Sequence, residues 1–194
     1  MNQILYNSSP RSGTVYSGYA GAQIIDGDYA TVHIPEIFSV KELDTITIFR
    51  KPSDAISSLI NKQKNNSDPI DVKNIDYTVS AHIALYQKYI KYAKQNKENI
   101  YIGRFEDLMQ DPLSHFLKIA KRFDRSLNKN YRENFKNISF SGPIWEDRYD
   151  GHIPRKKTED RLMIEDAVGS SSLIKQLDKD YNDFINENAT QIKL

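Results

Sequence analysis

The run Ser9-Pro10-Arg11-Ser12-Gly13-Thr14 brings together hydroxyls, a glycine and a guanidinium. Placed between a strand and a helix, such a run turns backbone N–H groups and the positive end of the helix toward an anion. Gly13 lets the backbone come close to a phosphate. Ser12 and Thr14 offer hydroxyl donors, and Arg11 a permanently charged planar fork. The same residues also suit a plain strand-to-helix turn with a surface arginine. A second group is Arg50-Lys51-Pro52-Ser53-Asp54, with Ser58 eight residues after Arg50. Arg50 stands at the carboxyl end of a strand, where open α/β sheets gather ligands. If the next helix folds back over the sheet, Arg50 and Ser58 reach one anion together. The competing reading is a strand end whose Asp54 complements a helix dipole. A third is His33, in Thr31-Val32-His33-Ile34-Pro35. Imidazole changes charge near neutral pH and can take the proton of a hydroxyl. A lone histidine is more often structural.

The elements that must hold these groups follow from periodicity. Gln3–Asn7, Ala30–Ile34, Thr45–Phe49 and Asn99–Gly103 read as strands. The third is β-branched and almost continuously apolar, as expected of a buried parallel strand. Helices are predicted over 15–25, from Pro52 through Ile60, over 75–95 and over 112–123, with two more near 159–168 and 171–187. Asp26-Gly27-Asp28 is a turn. It also has the D-x-D pattern of metal-dependent glycosyl transfer, which is the weaker reading. Lys62–Asp71 and Ser141–Lys157 read as exposed loops. Strands alternating with helices predict an α/β fold with a mainly parallel sheet covered on both faces.

The chain has 194 residues, which suits one domain over 1–194, mostly helix and loop from about residue 125. The net charge of +1 argues against a nucleic-acid binder. The absence of cysteine excludes disulfide scaffolds, thiolate zinc sites and thiol nucleophiles. No apolar run approaches the roughly 18 residues of a membrane span. No signal peptide is recognised, so a soluble cytoplasmic protein is expected.

Pro10-Arg11-Ser12-Gly13-Thr14 resembles the 5′-phosphosulfate loop of sulfotransferases, Pro-Lys-Ser-Gly-Thr in the cytosolic branch and Pro-Arg-Ser-Gly-Thr in the tyrosylprotein branch. Arg50, Pro52, Asp54 and Ser58 resemble that family's 3′-phosphate motif. Thr31-Val32-His33-Ile34-Pro35 is similar to the segment that carries its catalytic base, with Thr31 in place of the usual lysine. Phe105-Glu106-Asp107-Leu108 is similar to a Tyr-Glu-Asp-Leu segment of architectural role, in which Glu106 and Asp107 orient arginines or cap a helix. The resemblance covers about Ile4 to Phe123. It implies a three-layer fold of the P-loop NTPase type. It also implies 3′-phosphoadenosine 5′-phosphosulfate (PAPS) as donor, 3′-phosphoadenosine 5′-phosphate (PAP) as product, and no metal. Ser12, Gly13, Thr14 and Arg11 would hold the 5′-phosphosulfate, and Arg50 and Ser58 the 3′-phosphate. His33 would be the base and Arg11 would steady the leaving phosphate. Glu36 is the alternative base, because other branches use a glutamate. Arg155 and Lys156 would close a late loop over the 3′-phosphate, although the family's following glycine is absent and a solvated basic loop explains them equally well.

His82 and His115 are assigned structural places. Phe140, Trp145 and Tyr149 either line an acceptor pocket or pin their loop. The acceptor is a small molecule, saccharide or peptide hydroxyl. Two rivals stand beside this reading. One is a small-molecule kinase of the P-loop type, which lacks its Gly-Lys-Ser/Thr signature here. The other is a non-catalytic descendant that binds nucleotide.

Overall fold

The computed structural model describes residues 3–65, 75–136, 138 and 159–188. Short runs rich in β-branched and aromatic side chains form the strands β1 (Ile4–Asn7), β2 (Tyr29–Val32), β3 (Asp44–Phe49) and β4 (Ile100–Arg104). They make one parallel sheet in the order β2-β1-β3-β4. The helices are α1 (Thr14–Ile24), α2 (Pro52–Asn65), α3 (Ile75–Asn96), α4 (Phe105–Gln110), α5 (Pro112–Arg122), α6 (Tyr131–Lys136), α7 (Glu159–Ser170) and α8 (Ser172–Glu187).

Side chains alternate across a strand, so each strand feeds two layers. In β4, Ile100 and Ile102 join a core built with α2, α3, α7 and α8, where Tyr89 and Phe184 are fully buried. Tyr101 points the other way, into a core with Tyr6, Ile46 and residues of α1 and α5. The result is helix, sheet, helix. The chain leaves β1 for β2 on one side and returns to β3 on the other. The strand order therefore reverses beside β1, and it is at such a reversal, above the carboxyl ends of the strands, that open α/β sheets gather ligands. No helix among the described residues is long and apolar enough to cross a membrane.

Local chemistry sets the helix ends. Pro112 opens α5, and Asp111 caps it by accepting from the Ser114 N–H at 3.1 Å. Ser171 caps α8 in the same way. The start of α2 is capped from afar: Asp178 of α8 accepts from the Ser53 N–H at 3.0 Å and pairs with Lys51 at 3.5 Å. At the other end of the sheet, Arg125 donates to Asp44 at 2.6 Å, tying the turn after α5 to the foot of β3.

The strands and the long helices fall within a residue or two of their predicted positions. The differences have local causes. β2 ends at Val32, so His33 and Ile34 lie beyond the strand. Pro35 does not merely stop β2 but opens a 3-10 turn, Pro35–Ser39. Residues 62–65 continue α2 rather than starting the loop, because nothing there breaks the helix. α4 and α6 were not predicted, and six residues each are too few to display a period. Glu106 and Asp107 lie inside the first turn of α4, where they complement its dipole rather than cap it. Residues 66–71 and 141–157, predicted as loops, lie outside the described residues.

His115 occupies the interior between α5 and β4. Its ring meets Tyr101 and Phe116 edge-on, at 5.4 and 5.8 Å. It lies against Gly103, where a Cβ would stand 2.5 Å from the ring. Burial, and then Lys118, push its pKa down to about 4. An unfolded chain takes this proton near pH 6.5, and the folded one takes it only near 4. Acidification through that window therefore favours unfolding. The loss is roughly 3 kcal/mol in total by linkage. Urea titrations of His115→Phe should lose this part of the slope between about pH 4 and 6.5. Equal slopes in the two proteins would remove His115 from the account.

Candidate functional site

The loop after β1 is stitched to the sheet at its root. The Ser8 hydroxyl accepts from the Ile48 N–H at 2.7 Å, where the backbone of β1 has already turned away. Ser9 and Ser12 share a hydroxyl hydrogen bond of 2.7 Å, and the Ser12 N–H reaches the Ser9 carbonyl at 3.3 Å. Arg11 (φ 65) and Gly13 (φ 83) are both left-handed, on either side of Ser12. They curl the chain into a concave turn that ends at the first residue of α1. Gly13 occupies the cap position with no side-chain cap, so the first N–H groups of α1 are left for another acceptor. The hydroxyls of Thr14 and Ser17, one turn apart on α1, are buried and have no hydrogen-bond partner. A phosphate placed there would meet backbone donors, orphaned hydroxyls and the dipole together. The residues fit such a group.

Arg50 follows β3 and crosses toward this loop. The hydroxyl of Tyr86 donates to the Arg50 carbonyl and fixes the backbone. The guanidinium lies 4.8 Å above the centre of the Phe105 ring. Its Nη1 donates to the Arg11 carbonyl at 3.3 Å. Arg11 in turn donates from Nε to the Ser58 hydroxyl of α2, at 3.0 Å. Residues predicted for two separate phosphates thus meet at one place. Burial pushes the Arg11 pKa below its ordinary value, and the charges of Arg50 and Arg161 push it further. Burial lowers Arg50 as well, with Asp54 and Glu106 working against it. Two half-buried arginines meeting here, one guanidinium on the backbone carbonyl of the other, make a place suited to an anion. Arg161, on α7, belongs to its surroundings and had no motif to announce it.

His33 stands next to the same loop and is exposed. Its Nδ1 lies 2.5 Å from the Ser8 carbonyl. A carbonyl only accepts, so Nδ1 carries the hydrogen, and in the neutral ring Nε2 keeps the lone pair. Glu36 is exposed in the 3-10 turn and faces Lys88 at 3.8 Å. Arg155 and Lys156 lie outside the described residues, as do Phe140, Trp145 and Tyr149. His82 was read as structural only. It is half-buried and lines a small recess with Ser9, Pro10 and Leu85, against the outer side of the loop. Burial lowers its pKa. Sequence reasoning also passed over Ser8, Tyr86 and Phe105 as builders of the site. Phe105 carried the one available signal, because it opens the Phe-Glu-Asp-Leu segment. No group of three or more His, Cys, Asp or Glu that could hold a metal exists among the described residues.

Gly13 is the tightest point. A Cβ there would stand 2.9 Å from the Phe105 ring, and φ is left-handed. Gly13→Ala is expected to cost about 1–3 kcal/mol of stability by strain. By moving Phe105 it also moves Arg50. Calorimetric titration with pyrophosphate should show binding to the parent protein lost in Gly13→Ala. Undiminished affinity would mean that this loop is not the anion site.

No protein-family profile matches the sequence, and no curated protein matches it. Comparison of folds gives a clear result. The crystal structure of mouse sulfotransferase SULT7A1 complexed with PAP superposes with a TM-score of 0.63. The match covers 98% of this chain and 86% of the mouse chain, at 14% sequence identity. At that identity the likeness concerns the fold. The parallel sheet and its covering helices match that structure: the chain has the sulfotransferase fold.

Proposed function

We propose that the chain transfers a sulfuryl group from PAPS to a hydroxyl acceptor. The observation that carries this reading is the pair of contacts joining Arg50, Arg11 and Ser58. Through them the loop after β1 and the end of β3, each assigned one phosphate by its motif, meet at one place. A donor with phosphates at both its 5′ and 3′ positions matches that arrangement. The mouse neighbour, complexed with PAP, supports it.

Each residue then has a task. Ser12, Gly13, Thr14 and Arg11 hold the 5′-phosphosulfate at the start of α1. Arg50 and Ser58 hold the 3′-phosphate, and Arg155 and Lys156 are assigned to the same group. PAPS supplies the sulfuryl group and the leaving phosphate. His33 takes the acceptor's hydroxyl proton on Nε2, the nitrogen that its bond to Ser8 leaves free. The acceptor oxygen bonds to sulfur as the sulfur–oxygen bond to the phosphate breaks. The products are a sulfate ester and PAP. Arg11 and the loop N–H groups neutralise the charge gathering on the departing phosphate oxygen, an interaction stronger in the transition state than before it. Thr31 brings no charge to the base segment, so Arg11 carries the cationic share of this work. The acceptor is a small-molecule, saccharide or peptide hydroxyl.

Calorimetric titration with PAP, ADP and ATP–Mg²⁺ tests the donor. PAP is expected to bind best. Arg50→Ala should weaken PAP by tenfold or more, the loss of a charge-assisted hydrogen bond worth roughly 1.5–3 kcal/mol, while leaving ADP nearly unaffected. Preference for ATP–Mg²⁺ would move the protein to phosphoryl transfer. His33→Ala should keep PAP affinity and lose turnover by about 10²–10⁴-fold. Unchanged turnover would dismiss His33 as the base.

A further inference from the structure

We infer that Asn7, locked by Tyr89, is the positioning residue that presents His33 to the acceptor. This rests on the proposed role of His33 as base.

The need for such a device comes from the sheet. β2 ends at Val32, which sits opposite Asn7 in the parallel register. Beyond that point no strand ladder holds the chain, yet His33 is the very next residue. The side chain of Asn7 takes over. Its Nδ2 donates to the Ile34 carbonyl at 2.5 Å, and its Oδ1 accepts from the Ile34 N–H at 3.0 Å. One amide thus grips both polar groups of the residue after His33. The clamp continues the sheet by side-chain hydrogen bonds where the backbone has stopped.

The amide cannot turn over. Oδ1 also accepts from the Tyr89 hydroxyl at 3.1 Å. Two donors therefore meet the oxygen and one carbonyl meets the nitrogen, and reversing the group would set N–H against N–H and oxygen against oxygen at Ile34, spoiling both bonds there. Asn7 and Tyr89 are both fully buried, so water offers no substitute. Burial, with Glu36 adding to it, raises the Tyr89 pKa, so the phenol remains a donor. Phe38 packs edge-on against the Tyr89 ring at 5.8 Å. The stretch from His33 through the 3-10 turn is consequently held at two points, Ile34 on Asn7 and Phe38 on Tyr89.

His33 inherits this placement. Its own anchor is the carbonyl of Ser8, the neighbour of Asn7. Asn7 fixes the distance between the two backbones, and the Nδ1–H bond to Ser8 sets the tautomer. Nε2 is the free nitrogen only while that bond persists. Neither Asn7 nor Tyr89 belongs to the anion loops. Loosening the clamp should therefore impair proton removal without impairing nucleotide binding.

The test uses the full chain and the variants Tyr89→Phe, Asn7→Ala and, as control, Tyr77→Phe, an exposed tyrosine on the same helix. The first readout is the tautomer of His33, by long-range ¹H–¹⁵N correlation of the imidazole rings at about pH 8, where imidazole is neutral. The parent and Tyr77→Phe should show Nδ1–H alone. Tyr89→Phe should show a mixture of tautomers, and Asn7→Ala more so. The second readout is kinetic. Tyr89→Phe should lower kcat by about ten- to a hundredfold, the scale of a small misplacement of a reacting group. With a simple phenol as acceptor probe, its KM and the affinity for PAP should stay within about twofold if only the base is displaced. Nδ1–H persisting in both clamp variants would overturn the inference, and so would kcat falling only in step with the folded fraction. Tyr89→Phe deletes one hydroxyl and keeps the proposal open to refutation if Asn7→Ala fails to fold. Unchanged turnover in His33→Ala would sink the reading of His33 as base, while the ring spectra would still decide the clamp.

Discussion

Arg11 and Arg50 lie 39 residues apart in the chain, and the fold joins them in partial shelter from water, with the Arg50 guanidinium on the Arg11 carbonyl. Like charges held this way repel, and burial makes each harder to keep charged. The arrangement persists because Asp54 and Glu106 offset part of it and neutral groups absorb more. The Ser58 hydroxyl accepts from Arg11, the Arg11 carbonyl accepts from Arg50, and the Phe105 face underlies Arg50. Tyr86 holds the Arg50 backbone from α3. Each partner comes from a different element, so the crevice depends on the whole stack of layers rather than on one loop. An anion would relieve the repulsion that these contacts contain.

The same logic explains why the last two described helices matter to a site they do not visibly form. Asp178 of α8 caps α2 and pairs with Lys51, directly after Arg50. Removing α8 would free the start of the helix that carries Ser58. α7 packs on α2, and its Arg161 adds positive charge to the surroundings of both arginines. Glu165, paired with Arg161 at 2.9 Å, moderates it. The potential around Arg11 and Arg50 is therefore set by several distant segments of the chain, of which the loop after β1 is only the first.

His33 poses a different problem, because an exposed ring at a strand end has little packing to orient it. Hydrogen bonds do the orienting, and they come from the buried side of the sheet. Asn7 sits in the strand next to β2, so strand pairing delivers it to Ile34. Tyr89 reaches it across the core from α3. A polar group buried among apolar neighbours is costly unless fully bonded, and the clamp leaves neither polar atom of the Asn7 side chain unpaired. The site is in this way coupled to the core that stabilises the fold.

Much of this protein is written locally. The periods of the strands and long helices, the turn chemistry of Ser9–Thr14 and the spacing of Arg50 to Ser58 depend on neighbours in the chain, and a reader of the sequence recovers them. So does the order of the motifs, which pointed to the sulfotransferase fold. Boundaries and short elements were less legible: β2 ends early, and α4 and α6 carry too few residues to declare a period. Tertiary structure alone decided the contacts that make the residues a site. Arg11 meets Ser58 across 47 residues, and Asn7 meets Tyr89 across 82. Those meetings require β1 to lie between β2 and β3, and α2 and α3 to fold back on one face. Strand order and helix packing arise from the burial of both faces of a sheet at once. No local pattern of side chains encodes which distant partner will be waiting there.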